Sequence, residues 1–101
     1  TPLLSSCRNG NEPVMKYLIE HGANVNQKGE CGLTPLISAC IQGNERMIKC
    51  LISRGAKINV VDYEGHRPLL ILCESKNSDD SIKFLIEHDA NIHIKDKYGN
   101  T

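Results

Sequence analysis

The chain resembles itself at an offset of 33 residues. Thr1-Pro2-Leu3-Leu4 falls on Thr34-Pro35-Leu36-Ile37, which falls in turn on Arg67-Pro68-Leu69-Leu70. The same step carries Gly22-Ala23-Asn24-Val25-Asn26 onto Gly55-Ala56-Lys57-Ile58-Asn59. Asp89-Ala90-Asn91-Ile92-His93 follows at 34, so the third copy holds one extra residue. A period of this size constrains the fold more than any local motif. Each unit is too thin to bury its own apolar face, and stacking on its neighbours supplies the core.

Within each copy the pattern predicts two short helices and an outstretched turn. Thr1 and Thr34 stand where an N-cap is needed, with Pro2 and Pro35 at the first helical position, where a missing N–H costs nothing. Leu3, Leu4 and Cys7 face inward in copy one, as do Leu36, Ala39 and Cys40 in copy two. The second helix is predicted from about Glu12 to His21, with Val14, Met15, Leu18 and Ile19 as its apolar face. Met47, Ile48, Leu51 and Ile52 repeat that face. Gly22 and Gly55 end these helices, because the residue past a helix end often takes the left-handed conformation. Copy three departs most. Arg67 replaces the capping threonine, Asp89 replaces the glycine, and the insertion falls within the polar segment Lys76 to Ser81. It is expected to be the loosest of the three.

A 33-residue unit with a TPL opening and a GA-x-[VI]-N close resembles the ankyrin repeat, and the likeness covers essentially the whole chain. The resemblance implies an all-α solenoid of stacked helix-turn-helix units joined by β-turn or hairpin loops. It divides one domain, 1–101, into repeats 1–33 (N-terminally truncated), 34–66 and 67–100, with Thr101 opening a further one. The sequence reads as a window of a longer array. Two departures stand out. The histidine that the family carries after Thr-Pro-Leu is replaced by Leu4, Ile37 and Leu70, and the aspartate near the turn tip, matched by Asp62 and Asp96, is Gly29 in copy one.

The resemblance implies a non-catalytic protein–protein interaction module. Its partner, of unspecified identity, would meet the hairpin tips and the concave side of the first helices. Carried onto this chain, that face holds Ile41, Gln42, Val61, Tyr63, Glu64, Lys95, Lys97 and Tyr98, with Tyr63 and Tyr98 as the anchors because tyrosine is enriched in interface hot spots. Two other readings remain open: a targeting arm of a larger enzyme of kinase or ubiquitin-ligase type, and a structural spacer in a long array. The asparagine closing the GA-x-[VI]-N motif can be hydroxylated in this family, which would concern Asn26 and Asn59.

Composition removes several alternatives. Twelve Lys and Arg balance twelve Asp and Glu, so the basic excess of a phosphate-binding surface is missing and no nucleic-acid partner is expected. No apolar run approaches the ~20 residues of a membrane span. Cys7, Cys40 and Cys73 fall on one equivalent position. Helices in contact lie about 8–10 Å apart, and a disulfide needs Cα atoms within about 7 Å, so register forbids bonding between these equivalents. Without a CxxC pair, the five cysteines read as reduced, small apolar residues in an intracellular, cytoplasmic, monomeric protein. His21 and His88 stand near the ends of second helices, where a partly cationic ring suits the helix dipole. Cys31 with a nearby histidine lacks an orienting third group, and Asp79-Asp80 reads as solvated loop. No phosphate-binding, zinc-protease or nucleophile-elbow string occurs. Neither a cofactor nor a metal is expected.

Overall fold

The computed structural model describes residues 2–75 and 79–88. Helices α1 (Pro2–Arg8) and α2 (Glu12–Glu20) form the first unit, and a 3-10 turn at Glu30–Gly32 leads out of it. Helices α3 (Pro35–Gln42) and α4 (Glu45–Ser53) form the second. Helix α5 (Pro68–Cys73) and a further helix, α6 over 79–88, form the third. No strand occurs among the described residues. The first helices stack in the order α1, α3, α5, and α2 and α4 each pack on the first helix of their own unit.

Local chemistry sets the ends of these helices. The Thr34 hydroxyl accepts the backbone N–H of Ile37 at 3.2 Å, and Gly43 closes α3 in the left-handed conformation at φ 69°. The second helices are capped by asparagines. Asn11 accepts the Val14 N–H at 3.3 Å, and Asn44 accepts that of Met47 at 3.2 Å. Each such cap stabilises its helix by about 1 kcal/mol. Lys16–Glu12 (3.3 Å) and Lys49–Glu45 (3.7 Å) are solvent-facing pairs one turn apart, contributing only a few tenths of a kcal/mol each.

Burial follows position in the stack. In the central unit Leu36, Ile37, Ala39, Cys40, Met47, Ile48 and Leu51 are at most 1% exposed. Each such aliphatic side chain contributes roughly 1.5–3 kcal/mol by leaving water. The outer units bury less. Val14, the equivalent of Met47, is 42% exposed. Leu69 and Leu70, equivalents of Leu36 and Ile37, are 36% and 52% exposed. With Ile58, Leu85 and Ile86 they line an apolar groove of about 300 Å³.

The third unit departs where the sequence does. Arg67 makes no side-chain cap bond, and α5 runs six residues where α3 runs eight. Asp79 and Asp80 are not loop residues: they stand in the first turn of α6. Carboxylates are favoured there by the unpaired N–H groups and the positive end of the helix dipole. The segment expected to hold the insertion, and Thr1 as a cap, lie wholly or partly outside the described residues.

Successive units are also joined by side chains. Asn26 accepts the Lys57 N–H at 2.8 Å and donates its amide to the Gly55 carbonyl at 3.2 Å. The closing asparagine of copy one is therefore bonded at both ends to the exit of α4.

Candidate partner-binding face

The turns that leave copies one and two have one backbone pattern built in two ways. In the first, Gly29 donates to the Leu33 carbonyl at 2.7 Å and Gly32 donates to the Gly29 carbonyl at 3.2 Å. In the second, Asp62 donates to His66 at 3.2 Å and Gly65 donates to Asp62 at 3.1 Å. The second adds a carboxylate clasp. Asp62 Oδ1 accepts the N–H groups of Glu64 (2.9 Å) and His66 (2.8 Å), while Oδ2 lies 2.7 Å from the His66 ring Nδ1. Burial alone would raise the Asp62 pKa, but the His66 N–H, the His66 ring and the Glu64 N–H outweigh it and hold the carboxyl below its usual value. The hydrogen bond and charge of Asp62 raise the pKa of the His66 ring. Copy one dispenses with the clasp because Leu4 fills its place: a Cβ on Gly29 would lie 2.1 Å from Leu4 Cδ2.

Asp62, Glu64 and His66 also bring three potential ligand atoms within 4.8 Å of one another, so these residues could hold a cation. The sequence reading missed this cluster, whose alternating D-x-E-x-H spelling was its only signal. Both Asp62 oxygens already accept hydrogen bonds that shape the turn. A cation would have to displace the proton between Asp62 and the ring. The arrangement is a turn clasp first.

Tyr63 does not lie along its own turn. Its N–H donates to the Cys31 carbonyl at 2.8 Å, and its ring lies against Gly32 of the preceding turn. A Cβ on Gly32 would come within 2.7 Å of that ring. The other face is free, leaving the residue 78% exposed. Cys31 takes a positive φ of 60°, uncommon for a residue with a side chain, and so aims its carbonyl at the next turn.

A small pocket of about 160 Å³ is lined by Arg8, Leu33, Ser38, Ile41 and Gln42. Ile41 is 53% exposed, Val61 is partly exposed, and Glu64 is largely in solvent. Gln42, exposed, uses its amide to donate to the Arg8 carbonyl, tying α3 to α1. Lys95, Lys97 and Tyr98 lie outside the described residues. Ile41 and Gln42 thus share one pocket with Arg8, Leu33 and Ser38, residues of two copies.

The remaining polar candidates have structural partners. His21 Nδ1 lies 2.8 Å from the Tyr17 carbonyl with its ring stacked on Tyr17, and His88 repeats this with Phe84 at 2.9 Å. In both, the ring N–H satisfies a last-turn carbonyl. Cys7 and Cys40 are fully buried, and burial pushes their thiols up to about 11 and about 12, far from a reactive thiolate.

The chain matches the family described as ankyrin repeats, in three copies, over residues 3–96. No curated protein matches it. Among solved structures it is similar to the crystal structure of the human ASB11 ankyrin repeat domain, at 29% identity and a TM-score of 0.76. That match covers 87% of this chain but only 39% of the other, so the chain spans about two fifths of that domain's chain. The stacked helix pairs and the match over nearly all of its length assign the chain to one family: it belongs to the ankyrin-repeat proteins.

Proposed function

We propose that this chain is a non-catalytic module that holds a protein partner on the face formed by its turns and first helices. Ankyrin repeats are generally protein–protein interaction modules. The observation that carries the reading is Tyr63, a large ring fixed by the neighbouring turn yet 78% exposed. Such a ring offers contact area without losing much freedom on binding, and preorganisation of this kind favours affinity. Ile41 and Val61 widen the apolar part of the face and Glu64 borders it; Lys95, Lys97 and Tyr98 would extend it along the third turn. The protein acts as a monomer in the cytoplasm and makes or breaks no bond. No described helix is long and apolar enough to cross a membrane.

The test is affinity capture with wild type and a Tyr63→Ala, Tyr98→Ala variant of equal helicity by circular dichroism. A protein held by the first and released by the second is the expected result. A partner held equally by both would move the site off this face.

A further inference from the structure

The pocket lined by Arg8, Leu33, Ser38, Ile41 and Gln42 has a chemistry of its own. Ser38 is 3% exposed, and its hydroxyl makes no hydrogen bond to the described residues. No enclosed side-chain oxygen or nitrogen among them lacks a partner, so this hydroxyl is not sealed in, and its open side is the pocket it lines. Arg8, at the last turn of α1, forms no ion pair among the described residues. Leu33 and Ile41 supply apolar walls. About 160 Å³ is too small for the usual small-molecule site of roughly 300–1,000 Å³, and it suits a single side chain.

The charge in the lining sets a preference. Arg8 brings a guanidinium that forms no ion pair among the described residues. A ligand carboxylate is therefore attracted there.

We propose that this pocket, resting on the partner-binding reading above, receives an extended acidic–apolar peptide segment. A Leu-, Ile- or Met-sized side chain enters between Leu33 and Ile41. A neighbouring Asp or Glu pairs with Arg8 and accepts from Ser38. A guanidinium and a hydroxyl donor complement a carboxylate, and charge-assisted hydrogen bonds of this type are the stronger ones.

The experiment is selection of a phage-displayed dodecapeptide library on the whole chain, followed by fluorescence anisotropy with one enriched peptide. The expected result is enrichment of Asp or Glu within two residues of Leu, Ile or Met. Arg8→Glu, an exposed change checked by circular dichroism, should weaken that peptide roughly fivefold or more at low salt, and less at high salt. Replacing the peptide's carboxylate by lysine should restore binding to Arg8→Glu. No enrichment, enrichment without acidic residues, or Arg8→Glu binding within twofold of wild type would overturn the proposal. If binding survives Arg8→Glu but fails in Tyr63→Ala, the partner face stands and the acidic specificity falls. If it fails in Arg8→Glu but survives Tyr63→Ala, the pocket stands and the tyrosine anchor falls.

Discussion

Gly32→Ala tests whether the Tyr63 ring is held by the turn beneath it. Two costs are expected. The first is conformational: Gly32 has φ 75°, and a left-handed residue with a Cβ costs about 1–2 kcal/mol. Gly43, at φ 69° with nothing within 4 Å of a built Cβ, carries that cost alone and serves as the control. The second cost is steric and belongs to Gly32 only. Its new methyl would stand 2.7 Å from the ring, so the ring must swing away by roughly an ångström, at about 0.5–1.5 kcal/mol for a side chain pushed off its rotamer. Urea unfolding followed by circular dichroism reads both. With a slope of about 1 kcal/mol per molar for a small domain, the Gly32→Ala midpoint should fall about 0.5–1.5 M further than that of Gly43→Ala. In a Tyr63→Ala background this extra loss should vanish, because there is no ring left to displace. Equal losses at the two glycines, or a Gly32→Ala loss unchanged by removing Tyr63, would refute the account.

Other parts of the molecule give sharper contrasts. Arg67→Thr supplies the cap that α5 lacks and should raise stability by about 1 kcal/mol, read as a higher melting temperature; an unchanged or lower value counts against the capping argument. Leu51→Ala empties a fully buried site and should cost about 2–5 kcal/mol, whereas Leu70→Ala, at 52% exposure, should cost well under half as much in the same urea titration. The Asp62–His66 clasp makes stability depend on pH. The lowered Asp62 value means its contribution is complete above the ordinary carboxylate value of 3.8 and is lost as pH falls through the lowered one. The raised His66 value means its contribution is complete below the ordinary imidazole value of 6.5 and fades as pH rises through the raised one. Melting curves should show the largest gap between wild type and Asp62→Asn between those two values, and a gap independent of pH would contradict the clasp. Hydrogen exchange should be slower at 48–52 in α4 than at 82–86 in α6, and equal protection would remove the case for a loose third copy.

Repetition made the architecture legible. One offset located every first helix, and the prolines and glycines at equivalent positions marked where helices begin and end. What stayed hidden depends on local backbone shape or on contacts between copies. Asn11 and Asn44 sit beside glycine or turn residues, where asparagine equally signals a turn, and only the backbone geometry makes them caps. Asp79-Asp80 looked like loop because the insertion blurred the start of α6. The candidate face was half legible. Tyr63, Ile41 and Val61 were found as exposed apolar residues at unconstrained positions. The packing of Tyr63 on Gly32, and the convergence of Arg8 with Ser38, join residues about 30 apart that belong to different copies. A period shows which residues are alike, not which ones meet.

Leu4 and Gly29 are coupled across copy one. The backbone at Gly29, with φ −110°, is one that any residue can adopt, so only the leucine methyl excludes a side chain there. Copy two solves the same corner with Ile37 and Asp62, both almost fully buried. A side chain placed at Gly29 meets the Leu4 methyl, so Leu4 would have to turn away from its present position to admit one. Recombining the helix of one copy with the turn of the other would join two halves of different solutions.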